Sequence, residues 1–109
     1  MGFFVSMRYT GTVAKTTFTC RIPLYGLPYE ITPLREVEVE LPDGAGMAHV
    51  VAALREKVPS LVGPVVRPGT DRLQQAYKFN LNGTFYYDGQ DFTLRPGDRI
   101  ALLVPVTGG

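Results

Sequence analysis

The chain finishes Leu103-Val104-Pro105-Val106-Thr107-Gly108-Gly109, and the last two residues are those whose type and place can do chemistry. Glycine has no Cβ, so Gly108 and Gly109 reach backbone conformations closed to other residues and can thread a channel too narrow for any side chain. The last carbonyl is then open to attack from all sides, which points to chemistry at the carboxylate of Gly109 itself. Pro105 fixes its own φ and brings no donor to a sheet ladder, so the last strand is expected to end near Val104 and release a short tail.

Other residues carry weaker signals. Cys20 is the only cysteine, which excludes an internal disulfide and points to a reducing compartment; in a strand it reads as a small buried hydrophobe. His49 stands off the apolar stripe of its helix and has no partners, so it reads as solvated, and no metal site is expected. Glu36, Glu38 and Glu40 alternate along a strand, about 6.5 to 7 Å apart, as a solvated face with no acid/base pair, the alternative being a supporting role in docking a basic partner. Arg95 and Arg99 flank a turn and read as surface residues. Asp43-Gly44-Ala45-Gly46 precedes a helix, but no lysine follows at phosphate-loop spacing, so the chain is not expected to bind ATP or any other cofactor.

These residues need a scaffold that presents the terminus. With 109 residues, 45% of them hydrophobic, the chain suits one compact domain burying roughly 60 to 70% of its unfolded surface. Eleven basic against ten acidic residues leave a net charge of +1, with no electrostatic footprint for nucleic acid or an anionic membrane. Gly2-Phe3-Phe4-Val5 is apolar but short, lacks a basic start and is followed by Arg8, so it reads as neither signal peptide nor membrane span. The expected location is cytoplasmic.

Residues 16–25 are rich in β-branched and aromatic side chains and predict a first strand that frays at Pro23. Arg35 to Leu41 alternates strictly, placing Val37, Val39 and Leu41 on one face. Pro42-Asp43-Gly44 turns the chain, after which Met47, Val50, Val51, Leu54 and Val58 recur on one face of an amphipathic helix stopped by Pro59. Residues 60–75 read as a long loop with a short helical turn at Arg72 to Ala76. Tyr77 to Leu81, Asn82-Gly83 and Thr84 to Tyr87 form a hairpin signal, and the Arg95-Pro96-Gly97-Asp98 turn feeds a last strand over 99–104.

Hairpins before and after one main helix across a mixed sheet of four to five strands define an α+β protein, with the β-grasp as the expected arrangement. In it the last strand lies centrally beside the first, and its continuous apolar run suits cover on both faces. The expected organisation is an extension over 1–15, the β-grasp domain over 16–104, and a flexible tail over 105–109.

Three segments resemble the MoaD/ThiS family of ubiquitin-like sulfur carriers, and are most similar to the small subunit of molybdopterin synthase. They are Glu36 to Leu61, the Asn82-Gly83 hairpin, and Leu94 to Gly109 with its Gly-Asp turn, apolar strand and Pro-Val-Thr-Gly-Gly ending. The resemblance implies that an adenylyltransferase of the ubiquitin-activating type uses ATP to adenylate Gly109. Sulfur then replaces AMP to leave a thiocarboxylate, and the chain is a carrier subunit with no catalysis of its own. The larger molybdopterin synthase subunit, or another sulfur acceptor, would take up Pro105, Val106, Thr107, Gly108 and Gly109. Two alternatives share the activation step: a protein modifier joined through Gly109 to lysines, and a sulfur carrier for thiamine thiazole or another metabolite. A plain interaction module needs no Gly-Gly.

Ordering five tail residues in a partner costs about 1 to 2 kcal/mol each, about 5 to 10 kcal/mol in all, more than five small residues offset by themselves. The body must therefore dock as well, and Phe85 and Leu103 with Tyr86 or Tyr87 are the expected anchor.

Overall fold

The computed structural model describes residues 16–103. The expected extension over 1–15 and the tail residues Pro105, Val106, Thr107, Gly108 and Gly109 lie outside the described residues.

Strand β1 (Thr17–Tyr25) pairs antiparallel with β2 (Glu36–Pro42), from Thr17 opposite Pro42 to Pro23 opposite Glu36. The pairing runs through Pro23, so the strand does not fray there. The Leu24 amide donates to the Arg35 carbonyl at 2.8 Å, toward β2. Successive amides on a strand face opposite edges, so the Pro23 nitrogen faces away from β2, on the side where pairing with the last strand begins only at Leu24. The missing donor breaks no ladder bond.

Helix α1 (Met47–Lys57) buries Met47, Val50, Val51 and Leu54 on the sheet, and Val58 follows them into the core. A glycine stands at its N-cap, and the cap is supplied from far along the chain: Asp91 Oδ1 accepts the Met47 amide at 2.8 Å. His49 Nδ1 accepts the Gly46 amide at 3.0 Å, a local use for that side chain that the sequence reading did not anticipate. A Cβ on Gly46 would lie 2.8 Å from Asp91 Oδ1, so glycine is what lets the carboxylate close on the helix end. Asp91→Ala and Gly46→Ala are each expected to lower stability by about 1 kcal/mol, the usual worth of an N-cap, read as a shift in urea midpoint.

A 3₁₀ turn (Pro59–Leu61) follows α1, with proline at its start where no amide is needed. The connection beyond it is part of the core: Leu61, Val65, Val66 and Leu73 are fully buried. The helical turn expected at Arg72 to Ala76 does not form. Leu73 instead makes an isolated antiparallel bridge with Val66, while Arg72 Nη2 reaches Asp88 at 2.9 Å beside Arg67 at 3.3 Å.

Strand β3 (Lys78–Leu81) and β4 (Thr84–Tyr87) form the expected hairpin, with positive φ at both Asn82 (52°) and Gly83 (93°), as a type I′ turn requires. Strand β5 (Ile100–Leu103) is inserted parallel to β1 and antiparallel to β3, giving the order β2-β1-β5-β3-β4. Its approach is fixed twice. Asp98 donates its amide to the Arg95 carbonyl at 3.0 Å across the Pro96-Gly97 turn, and the Asn82 side chain accepts the Arg99 amide at 2.9 Å.

Three carboxyls in these junctions are held below the ordinary aspartate range. The Arg72 hydrogen bond does so for Asp88, the Met47 and Phe92 amides for Asp91, and the Arg95 amide with the Asn82 side chain for Asp98. In the window between the folded and unfolded pKa values the unfolded chain binds more protons. Their contribution is therefore complete above about pH 5 and is lost as pH falls through the unfolded value and then the lower folded values. The urea midpoint is expected to hold from pH 7 to about 5 and to drop below about 4, with the drop shallower in Asp88→Asn.

Candidate functional site

The helix covers one face of the sheet, and no described element packs on the other. Along β1 the burial alternates, with Cys20, Ile22 and Leu24 inward and Thr19, Arg21 and Tyr25 outward. In β5, Ile100 and Leu102 are buried under the helix, whereas Ala101 and Leu103 are only half-buried on the opposite side. Among the described residues the apolar run of β5 thus has cover on one face, where its sequence suggests cover on both.

The register aligns one outward residue from each of four adjacent strands. Tyr25 stands beside Leu103, Leu103 opposite Lys78, and Lys78 opposite Tyr87. One row further, Asn80 lies between Ala101 and Phe85. Tyr25, Phe85 and Tyr87 are 55%, 47% and 50% exposed, a large aromatic surface on which no described residue of this chain packs. An open groove of about 880 Å³ follows this face past Arg21, Tyr25, Phe85, Ala101 and Leu103.

Of the expected anchor residues, Phe85 and Leu103 reach this face together with Tyr87. Tyr86 does not. Alternation turns it inward, where its ring meets Phe92 edge-on at 5.3 Å between centroids. Tyr25 and Lys78 join the face without having been singled out from the sequence. Their signal was the alternation of their own strands, which becomes readable only once the partner strands and registers are known.

The remaining sequence candidates have structural places. Cys20 is buried, and burial, then the nearby Asp98, pushes its thiol pKa up, so it is a core side chain. Glu36, Glu38 and Glu40 are exposed on β2, with Arg21 Nε 3.9 Å from Glu36 and the Thr19 hydroxyl donating to Glu40. Arg95 pairs with Asp43 at 3.3 Å across the turn that leads into β5. Among the described residues no group of three His, Cys, Asp or Glu side chains is placed to hold a metal ion, and no helix is long and apolar enough to cross a membrane.

A five-stranded mixed sheet with its last strand parallel to its first at the centre, one helix on one face and an aromatic opposite face defines a β-grasp protein of the ubiquitin-like class. The ThiS family matches residues 22–109, and the chain belongs to that family. No curated protein matches the chain. The crystal structure of SAMP1 from Haloferax volcanii is similar at 25% identity and a TM-score of 0.67, over 84% of this chain and 100% of that one. The solution structure of the small archaeal modifier protein 1 (SAMP1) from Methanosarcina acetivorans shares the fold at 20% identity and a TM-score of 0.62, over 86% of this chain and 99% of that one. Members of this class work with activating enzymes and acceptors.

Proposed function

We propose that this chain is a sulfur carrier whose working group is the carboxylate of Gly109, acting in molybdopterin synthesis for molybdenum or tungsten cofactor. The observation that carries the reading is the family match running unbroken to Gly109 from a strand fixed at the centre of the sheet. An adenylyltransferase spends ATP to convert the carboxylate to an acyl-adenylate. A persulfide sulfur attacks the acyl carbon and AMP leaves; a thiol of the sulfur donor or an added dithiol then attacks the S–S bond of the acyl disulfide, releasing the thiocarboxylate and ending as a disulfide itself. Pro105, Val106, Thr107 and Gly108 lead that group into the partner, and the open face seats the body. The chain supplies the nucleophile and the docking surface; ATP and the catalytic residues belong to the partners. The acceptor in this reading is the larger molybdopterin synthase subunit, in the cytoplasm.

The likeness to SAMP1 favours a second reading, conjugation of Gly109 to lysines of other proteins. Both use the same adenylate. Intact mass after incubation with ATP, a sulfur donor and the cognate adenylyltransferase tests their shared chemistry. A gain of about 16 Da, the exchange of oxygen for sulfur, confined to the C-terminal peptide supports the carrier. No gain, with the enzyme active on another carrier, overturns it. Lysine-linked Gly-Gly remnants in cells report the modifier, and rescue of molybdopterin synthesis reports the carrier pathway.

The docking face has its own test. Phe85 is half exposed at the hairpin edge, so Phe85→Lys should leave the domain folded, losing about 0.5 to 1 kcal/mol with the ring face beside Lys78. Its affinity for the larger subunit should fall about 30-fold or more, the ordinary loss on removing an aromatic hot spot. Unchanged affinity in a calorimetric titration would remove Phe85 from the interface.

A further inference from the structure

Lys78 sits in the middle of the aromatic row, half-buried, with its ammonium 4.8 Å from the centroid of the Phe85 ring and 5.5 Å from that of Tyr87. No carboxylate lies in ion-pair range of it among the described residues, although five other ion pairs form there. Among the described residues the acidic side chains of this face are Asp98, at the far end of the groove where it accepts from the Asn82 side chain and the Arg95 amide, and the β2 stripe of Glu36, Glu38 and Glu40, three strands away in the order β2-β1-β5-β3. At about 4.8 Å per strand that is about 14 Å, beyond the Debye length of about 8 Å at physiological salt, so the stripe does not neutralise Lys78 through solvent.

In the free protein the ammonium is satisfied by water and by the two ring faces. A partner that covers the row from Tyr25 to Tyr87 strips that water. An ammonium desolvated without a counter-charge opposes binding more than the surrounding apolar contacts favour it. A surface able to cover this face must therefore bring an acidic group to Lys78, and a surface with an apolar or basic residue there is rejected. The glutamate stripe imposes the opposite requirement at the β2 edge, where a basic rim is favoured. Negative over β3 and positive over β2 is a polar arrangement, and only one orientation of the partner satisfies it.

We propose that Lys78 is a specificity-determining residue of the docking face, engaged by a carboxylate on the adenylyltransferase that activates Gly109, with basic groups of that enzyme lying over Glu36, Glu38 and Glu40. The proposal rests on the carrier reading for the identity of the partner. It sets the direction in which the chain is laid down, with β5 and the residues after Leu103 aimed at the enzyme's nucleotide site. Lys78 acts through docking and does not touch the reacting carbonyl.

The test titrates wild type, Lys78→Arg, Lys78→Met and Lys78→Glu against the cognate adenylyltransferase at two salt concentrations, and measures adenylation of each. All four should share one urea midpoint, since Lys78 borders the core without entering it. Lys78→Arg should bind within about threefold of wild type, Lys78→Met about 10-fold weaker with a reduced salt dependence, and Lys78→Glu about 100-fold weaker, in KM and not in kcat. Equal affinities across the series, or a loss in kcat alone, overturn the proposal while adenylation of the wild type keeps the carrier reading. Wild type that binds with the expected series but is not adenylated supports the docking assignment and overturns the carrier reading. Wild type that does not bind overturns both.

Discussion

Deleting Gly108 and Gly109 is expected to abolish thiocarboxylate formation completely while leaving the fold intact. The mass gain of about 16 Da should vanish, and the urea midpoint should stay within about 0.5 kcal/mol of wild type. Among the described residues the buried hydrophobic core runs from Cys20 to Leu102, upstream of the two glycines. What they supply is a reacting carbonyl without side chains around it. Replacing Gly108 by valine should separate the two requirements: the carboxylate remains, but a β-branched residue hinders threading, and the defect should fall on activation and not on stability. A chain that keeps its cellular role after the deletion is an interaction module, and its chemistry does not run through Gly109.

The second large effect is on stability. Phe79→Ala is expected to destabilise the domain by about 3 to 5 kcal/mol. Phe79 is fully buried, lies opposite Leu102 of β5 and Tyr86 of β4, and meets the Phe92 ring edge-on at 5.9 Å. Against a typical total of about 5 to 15 kcal/mol this places the variant near the limit of folding at 37 °C. Urea unfolding followed by far-UV circular dichroism measures it. A loss below about 1 kcal/mol would show that the sheet does not close around this ring. Because β3 pairs with β5, the same substitution should speed amide exchange in Ile100–Leu103, so the strand that carries the tail loosens before the domain as a whole unfolds.

Both effects have consequences for where the docking face can be altered. Substitutions at Phe85, Tyr87, Lys78 and Tyr25 act on surface that the described residues leave open, whereas Tyr86, one residue away, is partly buried against the core beside Phe92. A scan of β4 should therefore alternate between binding defects and stability defects with a period of two.

Much of this is legible in the sequence alone. The alternation of Val37, Val39 and Leu41, the helical spacing of Met47, Val50, Val51 and Leu54, and the Asn82-Gly83 turn each encode a local periodicity or a backbone conformation in adjacent residues. Short-range sterics decide those, so they need no knowledge of the rest of the chain. The Gly108-Gly109 ending and the family pattern before it were likewise properties of contiguous sequence.

The tertiary structure decided what depends on residues far apart in the chain. Pro23 continues its strand because of which side each amide faces, and that requires knowing that β2 lies on one side and β5 on the other. Residues 60–75 read as a long loop from their prolines and glycines, yet Leu61, Val65, Val66 and Leu73 close the core, held by Asp88 through Arg67 and Arg72. The N-cap of the helix comes from Asp91, 44 positions beyond Met47. The row Tyr25, Leu103, Lys78 and Tyr87 exists only because a parallel β5 is inserted between β1 and β3. Local sequence sets the period and facing of each strand, but lateral order and register are set by burying all the apolar faces at once, and that minimum belongs to the whole chain.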